Sequence, residues 1–172
     1  MPRALVALGS NEGDRQAAID AAVEAICGLE RTCVEARSRS HETRPVGGPP
    51  QPAFLNAAAL VVTQLRPRAL LSGLLEIERA RGRVRREPNG PRPIDLDVIL
   101  YDDVVLAEPG LEVPHPRFRE RGFVLLPAVE IAPGMRDPVT GLTLAELYER
   151  WRKKTGAPEG AIDELAPAPL SR

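Results

Sequence analysis

Two carboxylates, Asp95 and Asp97, stand two residues apart inside the aliphatic run of GPRPIDLDVILYDD, residues 90–103. Side chains alternate along a strand, so the pair shares one face while Ile94, Leu96, Val98 and Leu100 share the other. The apolar face demands a core, and the acidic face demands water or a cation. Carboxylate oxygens are hard ligands suited to Mg²⁺, which takes one or two of them together with substrate phosphates. Directly upstream, RVRREPNGPRP (83–93) carries Arg83, Arg85, Arg86 and Arg92, each able to offer a planar donor fork to phosphate oxygens. The charge boundary is abrupt: Arg66 to Arg92 holds eight arginines against three glutamates, and Pro93 to Pro114 holds six acidic residues and no basic one. Loop and strand together describe a polyphosphate held by metal on one side and arginines on the other. The competing explanation is an edge strand with inward charges that discourage aggregation, beside a solvated basic face. Neither a P-loop GxxxxGK(S/T) nor a GxGxxG after the first strand is present, and a kinase signature set is absent too. Side chains and metal would therefore have to grip the phosphates.

The elements that must position these groups alternate in a mixed α/β pattern. PRALVALG (2–9) is a β-prone run ending at the turn-rich GSNEGDR, where Asp14 can cap a helix over 15–30 with Ala17, Ala18, Ala21, Ala22, Ile26 and Leu29 at helical spacing. TCVEARSRSHET (32–43) reads as a second strand, with His41 as a surface turn residue. RPVGGPPQPA (44–53), with four prolines and two glycines, can only be a loop. FLNAAALVVTQL (54–65) is a third strand, and Pro67 opens a second helix that Gly82 ends. After the loop at 83–93 comes the acidic strand, then a short strand or hairpin, a Pro-flanked His115, a short helix near 120–129 and a last amphipathic helix near 143–154. Strand, helix, strand, strand, helix, strand is the order of an α+β, ferredoxin-like βαββαβ sandwich, with a mixed or antiparallel sheet and flanking helices.

A chain of 172 residues with 43% apolar content fits one domain, expected at 1–155, with a poorly ordered tail rich in Ala, Pro and Gly at 156–172. The formal net charge of −1 gives no bulk attraction to nucleic acid or an acidic membrane, so neither is an expected partner. With no long apolar run near the start, the chain is expected to be cytoplasmic, and a monomer. Cys27 and Cys33 lack metal-ligand spacing and are expected to be free, partly buried thiols.

The blocks ALGSN (7–11), TRPVG (43–47), FLNA (54–57), IERARGRVR (77–85), GPRPIDLD (90–97), VPHP (113–116) and RGF (121–123) resemble, in order, those of the 6-hydroxymethyl-7,8-dihydropterin pyrophosphokinase family. The resemblance spans residues 5 to about 133. It implies a folate-pathway enzyme that transfers pyrophosphate from ATP to the pterin hydroxymethyl group and releases AMP. It places two Mg²⁺ ions on Asp95 and Asp97, and positions Arg83 and Arg92 on the polyphosphate, so that these four are the catalytic set. Glu78, Arg83, Arg85, Arg92, His115 and Arg121 would then contact ATP. Asn56 would meet the polar edge of the pterin beside Thr43, Pro45 and Val46, with Asp95 close by. Phe54 and Phe123 would stack on its two faces. Some family members carry a Trp in the loop before GPR, where this chain has REPN, and a Tyr where Phe54 stands. Both loops, 44–53 and 83–93, flank this site and are expected to order when the substrates bind.

Taken without the family, Phe54 and Phe123 are also explained as core residues, Asn56 as a strand-end cap, His115 as a surface residue between prolines, and Gly9 to Asn11 as the turn after the first strand. Two other functions fit the fold. A metal-dependent phosphohydrolase could use the same Asp pair and arginines, and a non-catalytic ferredoxin-like module could bind a ligand or RNA.

Overall fold

The first strand, β1 (Arg3–Ser10), buries every side chain except that of Arg3, with Ala7 covered in part. A strand apolar on both faces needs a layer on each side, and β1 is accordingly central in the sheet. The computed structural model describes residues 1–44, 50–82 and 92–162. Along them follow α1 (Arg15–Cys27), β2 (Thr32–Arg37), β3 (His41–Thr43), β4 (Phe54–Thr63), α2 (Pro67–Ala80) and β5 (Asp95–Tyr101). The hairpin β6 (Leu106–Glu108) and β7 (Leu111–Val113), a 3₁₀ turn (Phe118–Glu120), α3 (Gly122–Ile131) and α4 (Leu144–Thr155) complete the fold. The sheet runs β2-β4-β1-β5, with short β3 also paired to β4, and every pairing is antiparallel. Each of the two β-α-β units skips a strand, which is the split arrangement of a ferredoxin-like sandwich. The expected fold class stands.

Local chemistry starts α1, α2 and α4 within a residue of where the sequence indicated, whereas α1 stops at Cys27, short of the expected 30, with Gly28 as its C-cap. Asp14 accepts the Ala17 N–H at 3.0 Å, and Pro67 opens α2. Thr143 and Glu146 form a reciprocal capping box on α4, which ends at Gly156 in the left-handed region. Helices α1 and α2 cover one face of the sheet through Ile19, Ile26, Leu70 and Leu74, against Val6, Leu8, Val61 and Leu96. Helices α3 and α4 cover the other through Leu125, Leu147 and Trp151, against Leu5, Ala58 and Ile99. A buried Asp137 receives two bonds from Arg119, at 2.6 and 2.9 Å, and joins the 3₁₀ turn to the segment before α4. Burial alone would raise its pKa; the bonds from Arg119, Thr140 and Val139 outweigh that and hold it below the ordinary carboxylate value.

Four expectations need correction. The strand expected over 32–43 is broken: Ser38 exchanges bonds with the Ala58 backbone through its own N–H and its Oγ, and the chain resumes pairing only at His41. His41 is thus a strand residue opposite Asn56, and its Nε2 lies 2.6 Å from a Glu130 carboxylate oxygen. Leu100 does not share a face with Leu96 and Val98. Leu5 opposes Leu100 while Val6 opposes Val98, so Ile99 is an extra residue that reverses the alternation and sends Leu100 to the α3/α4 side. Cys27 and Cys33 are free but exposed. Residues 156–162 lie along α4, with Ala157 buried and the Ala161 carbonyl accepting from the Tyr148 hydroxyl at 2.6 Å.

Candidate active site

On the α3/α4 side, the ends of β1, β4 and β5 frame a cavity of about 260 Å³. Register explains what the sheet contributes to it. Gly9 of β1 lies between Asn56 of β4 and Asp95 of β5, and one step inward Ala7 lies between Ala58 and Asp97. Asp95 and Asp97 therefore do share a face and both line the cavity, while Leu96 between them is buried under α2. The glycine matters for contact: a Cβ at position 9 would sit 3.3 Å from Asn56 Oδ1 and 3.7 Å from Phe54 Cδ1.

Arg92 and Arg121 line the same cavity, as do Thr43, Phe54, Asn56 and Phe123. Sequence reasoning missed Arg44, Arg117 and Ile99, which also face it. Asn56 donates from Nδ2 to Thr43 Oγ1, and both residues are buried, so the amide carbonyl is directed by a bond its nitrogen makes. Two rings each carry an arginine. The Arg92 guanidinium carbon is 5.1 Å from the Phe54 centroid, and that of Arg121 is 5.6 Å from the Phe123 centroid. Arg92 also donates to Asp95 Oδ2 at 3.1 Å, so the cationic loop end and the acidic strand meet as the charge boundary implied.

Asn11 is the residue whose role the sequence concealed. It is 1% exposed, and its Nδ2 donates to Gln51 Oε1 at 2.8 Å and to the Pro52 carbonyl at 3.1 Å. Its Oδ1 accepts the Arg92 N–H at 2.9 Å, and its own N–H reaches the Arg92 carbonyl at 3.2 Å. One side chain thereby ties the end of each Pro- and Gly-rich loop to the end of β1.

His115 lies outside the cavity wall but within its electrostatic field. Its N–H is bonded to the Ile99 carbonyl, and its Nδ1 accepts the Arg117 N–H at 3.2 Å, which places the proton of the neutral ring on Nε2. Burial, then the nearby Arg121 charge, lower its pKa to about 4, with Asp95 opposing them. Burial and the Arg117 charge likewise lower the pKa of Arg121, against the pull of Asp97 and Asp95. A half-buried guanidinium in that position favours an anion beside it.

Glu78, expected among the ATP contacts, does not line the cavity. It is buried on α2 and accepts the Leu96 N–H at 2.7 Å, which braces β5 between its two aspartates. Pro45, Val46, Arg83 and Arg85 lie outside the described residues, as do half of the 44–53 loop and most of the 83–93 loop. Among the described residues no group of three or more His, Cys, Asp or Glu side chains converges for a metal, and no helix is long and apolar enough to cross a membrane.

Comparison with known proteins supplies the family. A family model described as 7,8-dihydro-6-hydroxymethylpterin-pyrophosphokinase (HPPK) matches residues 5–133. A 2-amino-4-hydroxy-6-hydroxymethyldihydropteridine pyrophosphokinase of Methylorubrum extorquens is 45% identical over 135 residues, covering 78% of this chain and 85% of that one. The protein of the same name from Pseudomonas aeruginosa is 41% identical over 145 residues, covering 84% and 89%. A crystal structure of HPPK-DHPS in complex with substrates superposes with a TM-score of 0.71 at 12% identity, covering 94% of this chain and 45% of that chain. Wild-type Plasmodium falciparum HPPK-DHPS with pterin and p-hydroxybenzoate gives 0.71 at 16%, covering 95% and 45%. The chain spans less than half the length of those solved chains, and at such identity the likeness speaks for the fold alone. With residues 5–133 under one family model and relatives above 40% identity along most of their own length, the chain belongs to the 7,8-dihydro-6-hydroxymethylpterin-pyrophosphokinase family.

Proposed function

We propose that this cavity is where the chain, a pyrophosphokinase by family, transfers pyrophosphate from ATP to the hydroxymethyl group of 6-hydroxymethyl-7,8-dihydropterin. The hydroxyl oxygen attacks the β-phosphorus and loses its proton to solvent, the bond from the β-phosphorus to the α,β-bridging oxygen breaks, and AMP leaves with that oxygen. One observation carries the assignment of roles: the Asp pair opens into the same small cavity as a hydrogen-bonding amide with two aromatic rings and a set of arginines. Asn56, oriented by Thr43, reads the polar edge of the pterin, and Phe54 and Phe123 hold its flat faces. Arg92 and Arg121 bind the polyphosphate, with Arg83 and Arg85 from the adjoining loop, and His115 contributes a neutral N–H donor close by. Pro45 and Val46 belong to the pterin side.

The donor set fits Mg²⁺. Two carboxylates with no further His, Cys, Asp or Glu converging on them among the described residues make a partial shell that phosphate and water oxygens complete. Asp95 and Asp97 would hold two such ions, which neutralise charge on the transferring phosphates when bound. The protein's own part is positioning: the strand fixes the carboxylates, Glu78 fixes the strand, and the arginines align the chain of phosphates. A simple hydrolase would leave the amide and two-ring half of the cavity without a purpose. We further propose that the chain acts as a cytoplasmic monomer without nucleic-acid or membrane partners, in keeping with its near-zero net charge.

The test is AMP release from ATP and Mg²⁺ with and without the pterin, for the native chain and Asp97→Ala. Pterin-dependent AMP should appear and fall by about 10³-fold in the variant. ADP or inorganic phosphate as the product, or indifference to the pterin, would overturn the proposal.

A further inference from the structure

Residues 121–123 are a partition. On one side Arg121 and Phe123 line the cavity just described, and on the other all three, with Leu147 and Trp151 of α4, line a second cavity of about 430 Å³. At Gly122 the packing leaves no space at all: a Cβ there would lie 2.5 Å from Cη2 and Cζ2 of Trp151 and 2.5 Å from the Ile162 carbonyl oxygen. The indole edge therefore rests on the backbone of the residue between Arg121 and Phe123. Trp151 is itself fixed. It is 4% exposed and stacks on Tyr148 with ring centroids 5.8 Å apart, and the Tyr148 hydroxyl holds Ala161, next to Ile162. The whole of α4 lies beyond residue 133, where the family match ends.

We propose that Trp151 is a positioning residue for the active site. By bearing on Gly122 it sets the depth at which Arg121 and Phe123 enter the cavity, so that a segment outside the matched region fixes a phosphate-binding cation and a wall of the pterin site. The inference rests on the roles given above to Arg121 and Phe123. Gly122 follows as a necessity, because any larger residue would force either the ring or the start of α3 to move.

Titration of the full-length protein with 6-hydroxymethyl-7,8-dihydropterin, in the presence of Mg²⁺ and a non-hydrolysable ATP analogue and followed by pterin fluorescence, separates positioning from bulk stability. Trp151→Leu is compared with Leu144→Ala, which removes a fully buried side chain at the opposite end of the same helix. Both should lower Tm. Trp151→Leu should weaken pterin binding and lower kcat/KM by about 10- to 100-fold, whereas Leu144→Ala should leave the pterin Kd within about twofold. Trp151→Phe, which keeps an aromatic ring but falls short of the position of Cη2, should recover only part of the loss. Should Trp151→Leu not fold, Gly122→Ala carries the test, with the same direction expected. Pterin binding in the Trp151 and Gly122 variants no weaker than in Leu144→Ala would overturn the inference. Phe123→Ala is the reference. If it weakens binding while the Trp151 and Gly122 variants do not, only this inference fails, and if it too binds normally, the assigned pterin wall fails with it.

Discussion

His115 is neutral across the range in which an ordinary histidine titrates. Its pKa in the folded chain is about 4, against 6.5 for the free side chain, with burial the largest cause. Between those values the unfolded chain binds more protons than the folded one, so stability rises with pH through that window. The contribution is present in full above about 6.5 and is lost as pH falls toward 4, and it is on the order of 3 kcal/mol. Urea unfolding in metal-free buffer should show it directly: between pH 7 and 4 the native protein should lose more stability than His115→Gln. Equal losses would mean that the ring is solvated. The residues that announce the chemistry were legible one by one, because Asp95, Asp97, Asn56, Phe54 and Phe123 sit in short blocks that identify the family. Arg117 stands outside the quoted blocks, and nothing in its local sequence sets it apart from the many other arginines of the chain, while Arg44 lies within TRPVG but its side chain was given no role there.

Loop ends and strand ends are where the elements become a site. Asn11 bonds to Gln51 and Pro52, 40 and 41 positions away, and to Arg92, 81 positions away. Such a role is invisible in a turn sequence like GSNEG, where any small polar residue would satisfy the local backbone. Asn11→Ala removes three bonds and leaves the part-buried Arg92 N–H without that acceptor, a loss of about 1–3 kcal/mol. Because it frees the ends of both loops together, it should raise KM for ATP and for the pterin alike, by about tenfold each on that energy scale. Steady-state kinetics with each substrate varied would reveal it; a change confined to one substrate would show that the loops are set independently. The extra residue in β5 was equally hidden, because Ile99 and Leu100 are both aliphatic and period-two alternation cannot register an insertion between them. By contrast, every helix start that carried a cap or a proline was placed to within a residue, since those signals are local.

At the scale of the molecule, one sheet separates two cores, and the candidate site opens on the α3/α4 side. Ile19 on α1 and Leu125 on α3 are both fully buried, on opposite faces. Truncating either to Ala should cost about 2–5 kcal/mol, and because both layers grip the same strands, unfolding should remain one cooperative transition. Only Leu125→Ala should also weaken pterin binding, since its layer carries Phe123; calorimetry beside a binding titration would separate the two effects. The ferredoxin-like order was readable from the succession of elements, whereas the assignment of each face to structure or to function needed the register. That register puts the strand with the least to offer, β1, in the middle of the floor. At the row joining Asn56 to Asp95 it supplies only bare backbone, so the floor between that amide and that carboxylate has no step in it. With the roles proposed above, a flat fused ring would lie across that span and a puckered or branched one would gain nothing from it, so that a preference for a planar substrate would follow from what Gly9 leaves out.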